Sequence, residues 1–171
     1  DCDYLLDRLC VWLNEAFDQK DDYCIAFGLL KAIVAHLYIA WIHPFGDGNG
    51  RTARLVEFEI LLSAGVPTTV AHLLSNHYNI TRSEYYRQLD MAYRSGGDLL
   101  PFIEYALQGF IDGLKEQIGL IKEQQLRVHW VNYVHDYFRD KDSGSNSRRK
   151  RLILDLTEIT DPVPLSTLRH L

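Results

Sequence analysis

Twelve consecutive residues, His43-Pro44-Phe45-Gly46-Asp47-Gly48-Asn49-Gly50-Arg51-Thr52-Ala53-Arg54, concentrate the groups in this chain that can do chemistry. Glycines at 46, 48 and 50 let successive backbone N–H groups turn to one side, and the helix that follows adds its own unpaired N–H groups and the positive end of its dipole. That combination is a cradle for an anion. Arg51 and Arg54 fall three apart on one face of the first helical turn, where cations oppose the helix dipole; a bound polyphosphate would remove the conflict. Asp47 would repel such a ligand unless a cation stood between them, and a hard oxygen beside phosphates is what Mg²⁺ uses. His43 can accept a proton from an attacking hydroxyl, because an imidazole titrates near pH 6.5 or so and general-base help is worth roughly 10²- to 10⁴-fold in rate. No serine, threonine or cysteine lies in loop 43–50, so the nucleophile is expected from a partner molecule. Phe45 is expected to anchor the loop in the core. Reading Asp-Gly-Asn-Gly as a plain tight turn is weaker, since a hairpin needs flanking strands and gives no reason for two arginines in a helical first turn.

The elements that must hold this run are helical. Leu5, Leu6, Leu9, Leu13 and Phe17 recur at helical spacing, and Ile25, Leu29, Leu30, Ile33, Val34 and Leu37 do the same, with polar 18–22 between the two stretches. Pro44 ends the second helix near Ile42, because it pushes His43 out of the helical region and cannot continue the ladder. A third helix is expected from Arg51 to Ala64, closed by Gly65 with Pro67 beyond. Thr81-x-x-Glu84 reads as a capping box for a helix carrying Tyr85, Tyr86, Leu89 and Tyr93, which Gly96-Gly97 closes. Phe102 to about Arg139 keeps helical spacing, with Gly109, Gly113 and Gly119 as points of bending or division. Asp140 to Asn146 reads as a linker, followed by the basic run Arg148-Arg-Lys-Arg151, a short helix over 152–156, a turn at Asp161-Pro-Val-Pro164 and an N-cap at Ser166.

With loop and flanking helices in place, the segment resembles the Fic family, whose core pattern H-x-F-x-[D/E]-G-N-G-R-x-x-R is matched at every fixed position. The likeness extends from about Tyr4 to Gln125, and Tyr-Asn-Ile-Thr-Arg-Ser-Glu-Tyr-Tyr86 resembles the segment lining the family's adenosine site. The resemblance implies an all-α, Fic-type helical bundle with the catalytic loop between two core helices, a short flap near Gln19 to Ile25, and the start of a C-terminal winged helix. The expected division is 1–139 for the Fic domain with a helical extension, 140–147 for a linker and 148–171 for the partial winged helix. It further implies that His43 deprotonates a target hydroxyl, that Asp47 holds Mg²⁺ or Mn²⁺ on the α- and β-phosphates of ATP, and that Gly48, Asn49 and Gly50, beside Gly46, bind phosphate. Arg51 would contact the β-phosphate and Arg54 the γ-phosphate. The implied reaction is transfer of AMP from ATP to a Tyr, Thr or Ser hydroxyl of a target protein, with release of pyrophosphate. Gly50 favours this over the Doc branch, which has Lys at that position and phosphorylates. Removal of AMP by the same loop, and a nucleotide-sensing regulator that binds DNA, are the competing readings. No inhibitory-helix sequence [S/T]-x-x-x-E-[G/N] occurs, and the chain, starting at the family's first core helix, is read as a fragment of something longer.

Other features set bounds. A chain of 171 residues with 47% hydrophobic residues can bury a core, and a net charge of −5 lacks the overall basic surface of a nucleic-acid binder, which leaves Arg148 to Arg151 as a local site for DNA. Cys2, Cys10 and Cys24 form no C-x-x-C pair, which fits a reducing, cytoplasmic setting. The apolar runs read as shorter than the roughly 18 residues a membrane helix needs, so no membrane partner is expected. The pairs His72 and His77, and His129 and His135, are spaced wrongly for two ligands on one helical face. Tyr85 and Tyr86 can stack on adenine or belong to the core, with equal weight on each.

Overall fold

A computed structural model describes residues 2–15, 23–141 and 143–159. All regular elements among them are helices: α1 (Cys2–Glu15), α2 (Cys24–Ile42), α3 (Asn49–Ser63), α4 (Thr68–Ala71), α5 (Leu73–Ile80), α6 (Arg82–Arg94), α7 (Leu100–Tyr137) and α8 (Gly144–Thr157). The all-α expectation holds. The chain divides into two compact units, 1–115 and 116–171, with the break inside α7. Phe17, most of the segment expected as a flap (Gln19 to Asp22), the turn at 161–164 and Ser166 lie outside the described residues.

The first unit is built around α2, which is apolar on most of its faces because it has neighbours on most of them. Its residues Leu29, Ala32, Ile33 and Leu37 share a core with Leu61 of α3, Leu74 and Tyr78 of α5, Tyr85 of α6, and Phe102, Ala106 and Phe110 of α7. A smaller cluster of Leu9, Ile39 and Ala53 joins α1 to the end of α2 and the start of α3. Close approach of α2 and α3 depends on Gly28, where a Cβ would lie 2.2 Å from that of Ala64. By length and composition α2 does reach what a membrane crossing requires, with mean hydropathy 1.9, which corrects the expectation that no run is long enough; its apolar character has a sufficient cause in the core it fills.

Several boundaries differ from expectation. The third helix begins at Asn49, two residues early, so the first arginine lies inside it. Thr81 makes no capping box: its hydroxyl donates to the His77 carbonyl at 2.7 Å and is shared with the Tyr105 hydroxyl at 2.5 Å, while Glu84 is engaged by Arg87 and Gln88. The glycines at 109, 113 and 119 do not divide α7. At Gly109 a Cβ would fall 2.2 Å from the His77 ring, so this residue lets α5 approach α7. In the second unit α8 starts at Gly144, not beyond Ser147, because the Ser143 hydroxyl accepts the Asn146 N–H at 3.2 Å and caps the helix there. The run Arg148 to Arg151 is therefore helical, and the expected linker shrinks accordingly. The indole of Trp130 donates to Thr157 at 3.0 Å, tying α8 to the end of α7.

Candidate active site

The site is made where α2 stops and α3 starts. The chain leaves α2 through His43, whose N–H still donates to Ile39 O at 3.1 Å but whose own backbone is left-handed at φ 52 and ψ 54. His43 is the one non-glycine residue with positive φ among the described residues. Pro44 excludes the right-handed conformation before it, and the left-handed turn is the usual way to end a helix; for a residue with a Cβ it costs about 1 kcal/mol. The outcome is an exposed imidazole held at a helix end.

Asn49 closes the loop. Its Oδ1 accepts the Phe45 N–H at 2.9 Å and its Nδ2 donates to the Phe45 carbonyl at 2.5 Å, with the residue only 4% exposed. Both ends of the side chain are thereby committed to the Phe45 main chain. The expectation that the Phe45 ring anchors the loop in the core is corrected: the ring is 46% exposed, and the anchor is the Phe45 backbone in the grip of Asn49. Of the three glycines, Gly48 alone has positive φ, at 89°, and it stands immediately before α3. Gly50 is helical, and a Cβ there would meet the Arg54 guanidinium at an ordinary contact distance of 3.6 Å. Gly46 has open space around it.

His43, Gly46 to Arg51 and Arg54 line one open depression of about 280 Å³. The first N–H groups of α3, which no helix can pair internally, belong to residues of this lining. Asp47 accepts the Gly48 N–H at 2.7 Å and meets Arg51 at 2.8 Å, both side chains being largely exposed. Arg54 is half-buried and has no carboxylate within ion-pair distance among the described residues. A larger hollow of about 440 Å³ between α1 and α2, lined by Leu5, Leu9, Trp12, Val34 and Tyr38 beside Arg8, is mainly apolar. No group of three or more His, Cys, Asp or Glu side chains placed to hold a metal occurs among the described residues.

The two tyrosines part company. Tyr85 belongs to the core at 6% exposure, its hydroxyl 2.9 Å from His36 Nε2, whereas Tyr86 is 56% exposed with Arg82 over its ring at 5.8 Å. Of the two readings, Tyr85 takes the core one, and Tyr86 is the one that presents an exposed ring. Burial pushes the Tyr85 phenol well up, against an opposing pull from the charge of Arg54. Two buried polar residues escaped the sequence reading. His36 and Glu57 are both fully buried, with Nδ1 and Oε2 2.9 Å apart. The carboxylate lies off the line of the ring N–H, so the contact is one of charge and proximity more than a straight hydrogen bond. A signal existed: Asn49, Ala53, Glu57 and Leu61 form a strict i, i+4 stripe, which is the buried face of α3.

A helical domain that presents an exposed imidazole, two arginines and a helix N-terminus around one depression is of the phosphate-handling class. The chain matches the Fic/DOC family over residues 2–61. It is 33% identical over 123 residues to protein adenylyltransferase fic-1 of Caenorhabditis briggsae, an alignment covering 70% of this chain and 22% of that protein. It is 32% identical over 123 residues to the fic-1 protein of Caenorhabditis elegans, with the same coverage, and 40% identical over 74 residues to protein adenylyltransferase Fic of Nematostella vectensis, covering 43% of this chain and 16% of that one. The chain thus spans about a fifth of the length of the curated relatives it matches. No solved structure matches it significantly.

Proposed function

We propose that this chain is a protein adenylyltransferase, moving the AMP of ATP to a hydroxyl side chain of a target protein. The observation that carries this reading is the convergence of His43, the first turn of α3 and Arg54 on one depression. In this reading the α3 N–H groups and Arg54 hold the β- and γ-phosphates, leaving the α-phosphorus open to attack. The His43 imidazole takes the proton of the target hydroxyl as its oxygen bonds to the α-phosphorus, and the bond to the β-phosphate oxygen breaks to release pyrophosphate. Tyr86 offers its exposed face to the adenine. The names of the relatives favour adenylyl transfer over its reversal.

Asp47 suits a hard divalent cation such as Mg²⁺ or Mn²⁺. It is the one carboxylate lining the depression, so most other ligands would be phosphate oxygens and water, which is how Mg²⁺ is usually held. Such an ion would offset charge building on the phosphates. For this to happen Asp47 must exchange Arg51 for the metal, which frees Arg51 for phosphate. A separate contact with DNA through Arg148, Arg149 and Arg151, all exposed on α8, is the partner this part of the chain fits best.

The test is incubation with Mg²⁺ and either α-³²P-ATP or γ-³²P-ATP, in lysate and alone, beside a His43→Ala control. Protein labelled from the α-phosphate only, and not in the control, is the expected result. Label from the γ-phosphate would mean phosphorylation instead. Label that persists in His43→Ala would remove His43 as the base.

A further inference from the structure

Beneath the loop lies a polar chain that the chemistry above does not use. Ser75 of α5 donates to Glu57 of α3 at 3.4 Å, Glu57 stands 2.9 Å from His36 of α2, and His36 reaches the Tyr85 hydroxyl of α6 at 2.9 Å. Tyr78 packs on the imidazole with ring centroids 4.8 Å apart, and burial followed by the charge of Glu57 pushes its phenol well up. His36 and Glu57 are completely buried, and Tyr85 nearly so. Stability is a poor reason for such an arrangement. Taking a carboxylate and an imidazole out of water costs several kcal/mol or so, and well-packed apolar residues in place of buried ion pairs are often as stable or more so.

Position supplies a better reason. His36 precedes His43 by seven residues, about two turns upstream of the point where the chain leaves α2. Glu57 follows Arg54 by three, one turn farther along α3. Tyr85 adjoins Tyr86 on α6, and its hydroxyl feels the charge of Arg54. The relay therefore joins the three helices that supply the base, the phosphate cradle and the adenine face, within one turn or two of each.

We propose that His36 is a positioning residue whose contacts with Glu57 and Tyr85 lock α2, α3 and α6 in the register that aims His43, Arg54 and Tyr86 at one nucleotide. With the proton on Nδ1, beside the carboxylate, Nε2 accepts from the Tyr85 hydroxyl, and burial keeps that phenol protonated and able to donate. Rotation or sliding of α3 against α2 would break the Glu57 contact, and movement of α6 would break the Tyr85 contact. An apolar core of the same volume would resist such movement less, because the His36–Tyr85 hydrogen bond has a direction and the His36–Glu57 contact a short range in a buried setting, whereas apolar contacts have no direction.

This inference rests on the nucleotide-binding part of the proposed function, and its test separates the two. Wild type, Tyr85→Phe, Glu57→Gln and Glu57→Leu are compared for melting temperature, for affinity to ATP with Mg²⁺ by calorimetry, and for the initial rate of labelling from α-³²P-ATP. Tyr85→Phe deletes one hydroxyl and leaves His36 Nε2 unpaired in the core, so it is expected to melt below wild type but to stay folded, and to lose about tenfold or more in ATP affinity and rate, as small misplacements remote from the reacting atoms do. Glu57→Gln, which keeps a polar group of the same length, is expected to stay within about threefold, and Glu57→Leu to fall with Tyr85→Phe. Affinity and rate within about twofold of wild type in both Tyr85→Phe and Glu57→Leu would overturn the proposal, whatever their melting temperatures. Wild-type protein that binds ATP but labels nothing would count against adenylyl transfer alone, since the affinities of the variants still report on the relay.

Discussion

Asn49→Asp is the substitution that most sharply probes how the loop is held. The native amide makes two bonds to one residue, accepting from the Phe45 N–H at 2.9 Å and donating to the Phe45 carbonyl at 2.5 Å. Removing both, as in Asn49→Ala, forfeits about 1 kcal/mol each, or about 2 kcal/mol in all. Replacement by Asp keeps the first bond but sets a carboxylate oxygen against the Phe45 carbonyl, which loses its donor and is repelled. The new carboxylate itself sits at a position only 4% exposed and faces that carbonyl, so the cost rises to about 3 kcal/mol. For a chain of this size each kcal/mol lowers the melting temperature by about 2–4 °C, which gives about 4–8 °C for Ala and about 6–12 °C for Asp. Differential scanning calorimetry checks the order, and titration with ATP and Mg²⁺ reads out the loop, whose affinity is expected to fall in the same order. An Asn49→Asp protein that melts above Asn49→Ala and binds ATP like wild type would refute the claim that Nδ2 closes the loop.

Further outcomes follow from other positions. Gly48→Ala forces a Cβ onto a residue at φ 89 and is expected to cost about 1–2 kcal/mol and to weaken ATP binding, read by calorimetry. Gly109→Ala places a Cβ 2.2 Å from the His77 ring; although Ala favours a helix by about 1 kcal/mol over Gly, overpacking of about 1–3 kcal/mol should leave the variant with a lower melting temperature. Burial holds His77 below its ordinary value of 6.5, against a smaller opposing pull from Asp112. Between the lowered folded value and 6.5 the unfolded chain binds the extra proton, so stability falls as pH drops through that window, and His77→Gln should show a smaller loss of melting temperature from about pH 7.5 to about pH 5.5.

What the sequence disclosed depended on whether the governing interaction was local. The end of α2 at Pro44 and the closure of α6 at Gly96-Gly97 are backbone matters, and both were legible. Thr81 looked like a cap but spends its hydroxyl on His77 and on Tyr105, 24 residues away, which no local pattern announces. Ser143 outcompeted a later start for α8 because it stands in extended backbone with its hydroxyl free to accept from Asn146. Phe45 misled because a large ring in a loop suggests burial, whereas Asn49 secures the same residue through its main chain. Among the site residues, His43, Asp47, Arg51 and Arg54 were found because their chemistry is displayed in one short run. His36 and Glu57 were not, because a histidine in one helix and a glutamate in another acquire meaning only when tertiary packing brings them to 2.9 Å.

The Asp47–Arg51 contact carries a consequence for which anions gain entry. Both side chains are largely exposed, so the pair contributes at most about 1 kcal/mol and opens readily. While it is closed, however, a carboxylate occupies the arginine that guards the depression, as a tethered decoy at high local concentration. A solitary phosphate or sulfate must evict the decoy and then sit beside its unscreened negative charge. Under the proposed function, a polyphosphate that brings its own cation would give each partner a new mate at once, the cation to Asp47 and an oxygen to Arg51. The loop would then discriminate by the composition of the arriving ion cluster, favouring a charge-balanced nucleotide over the many simple anions that surround it.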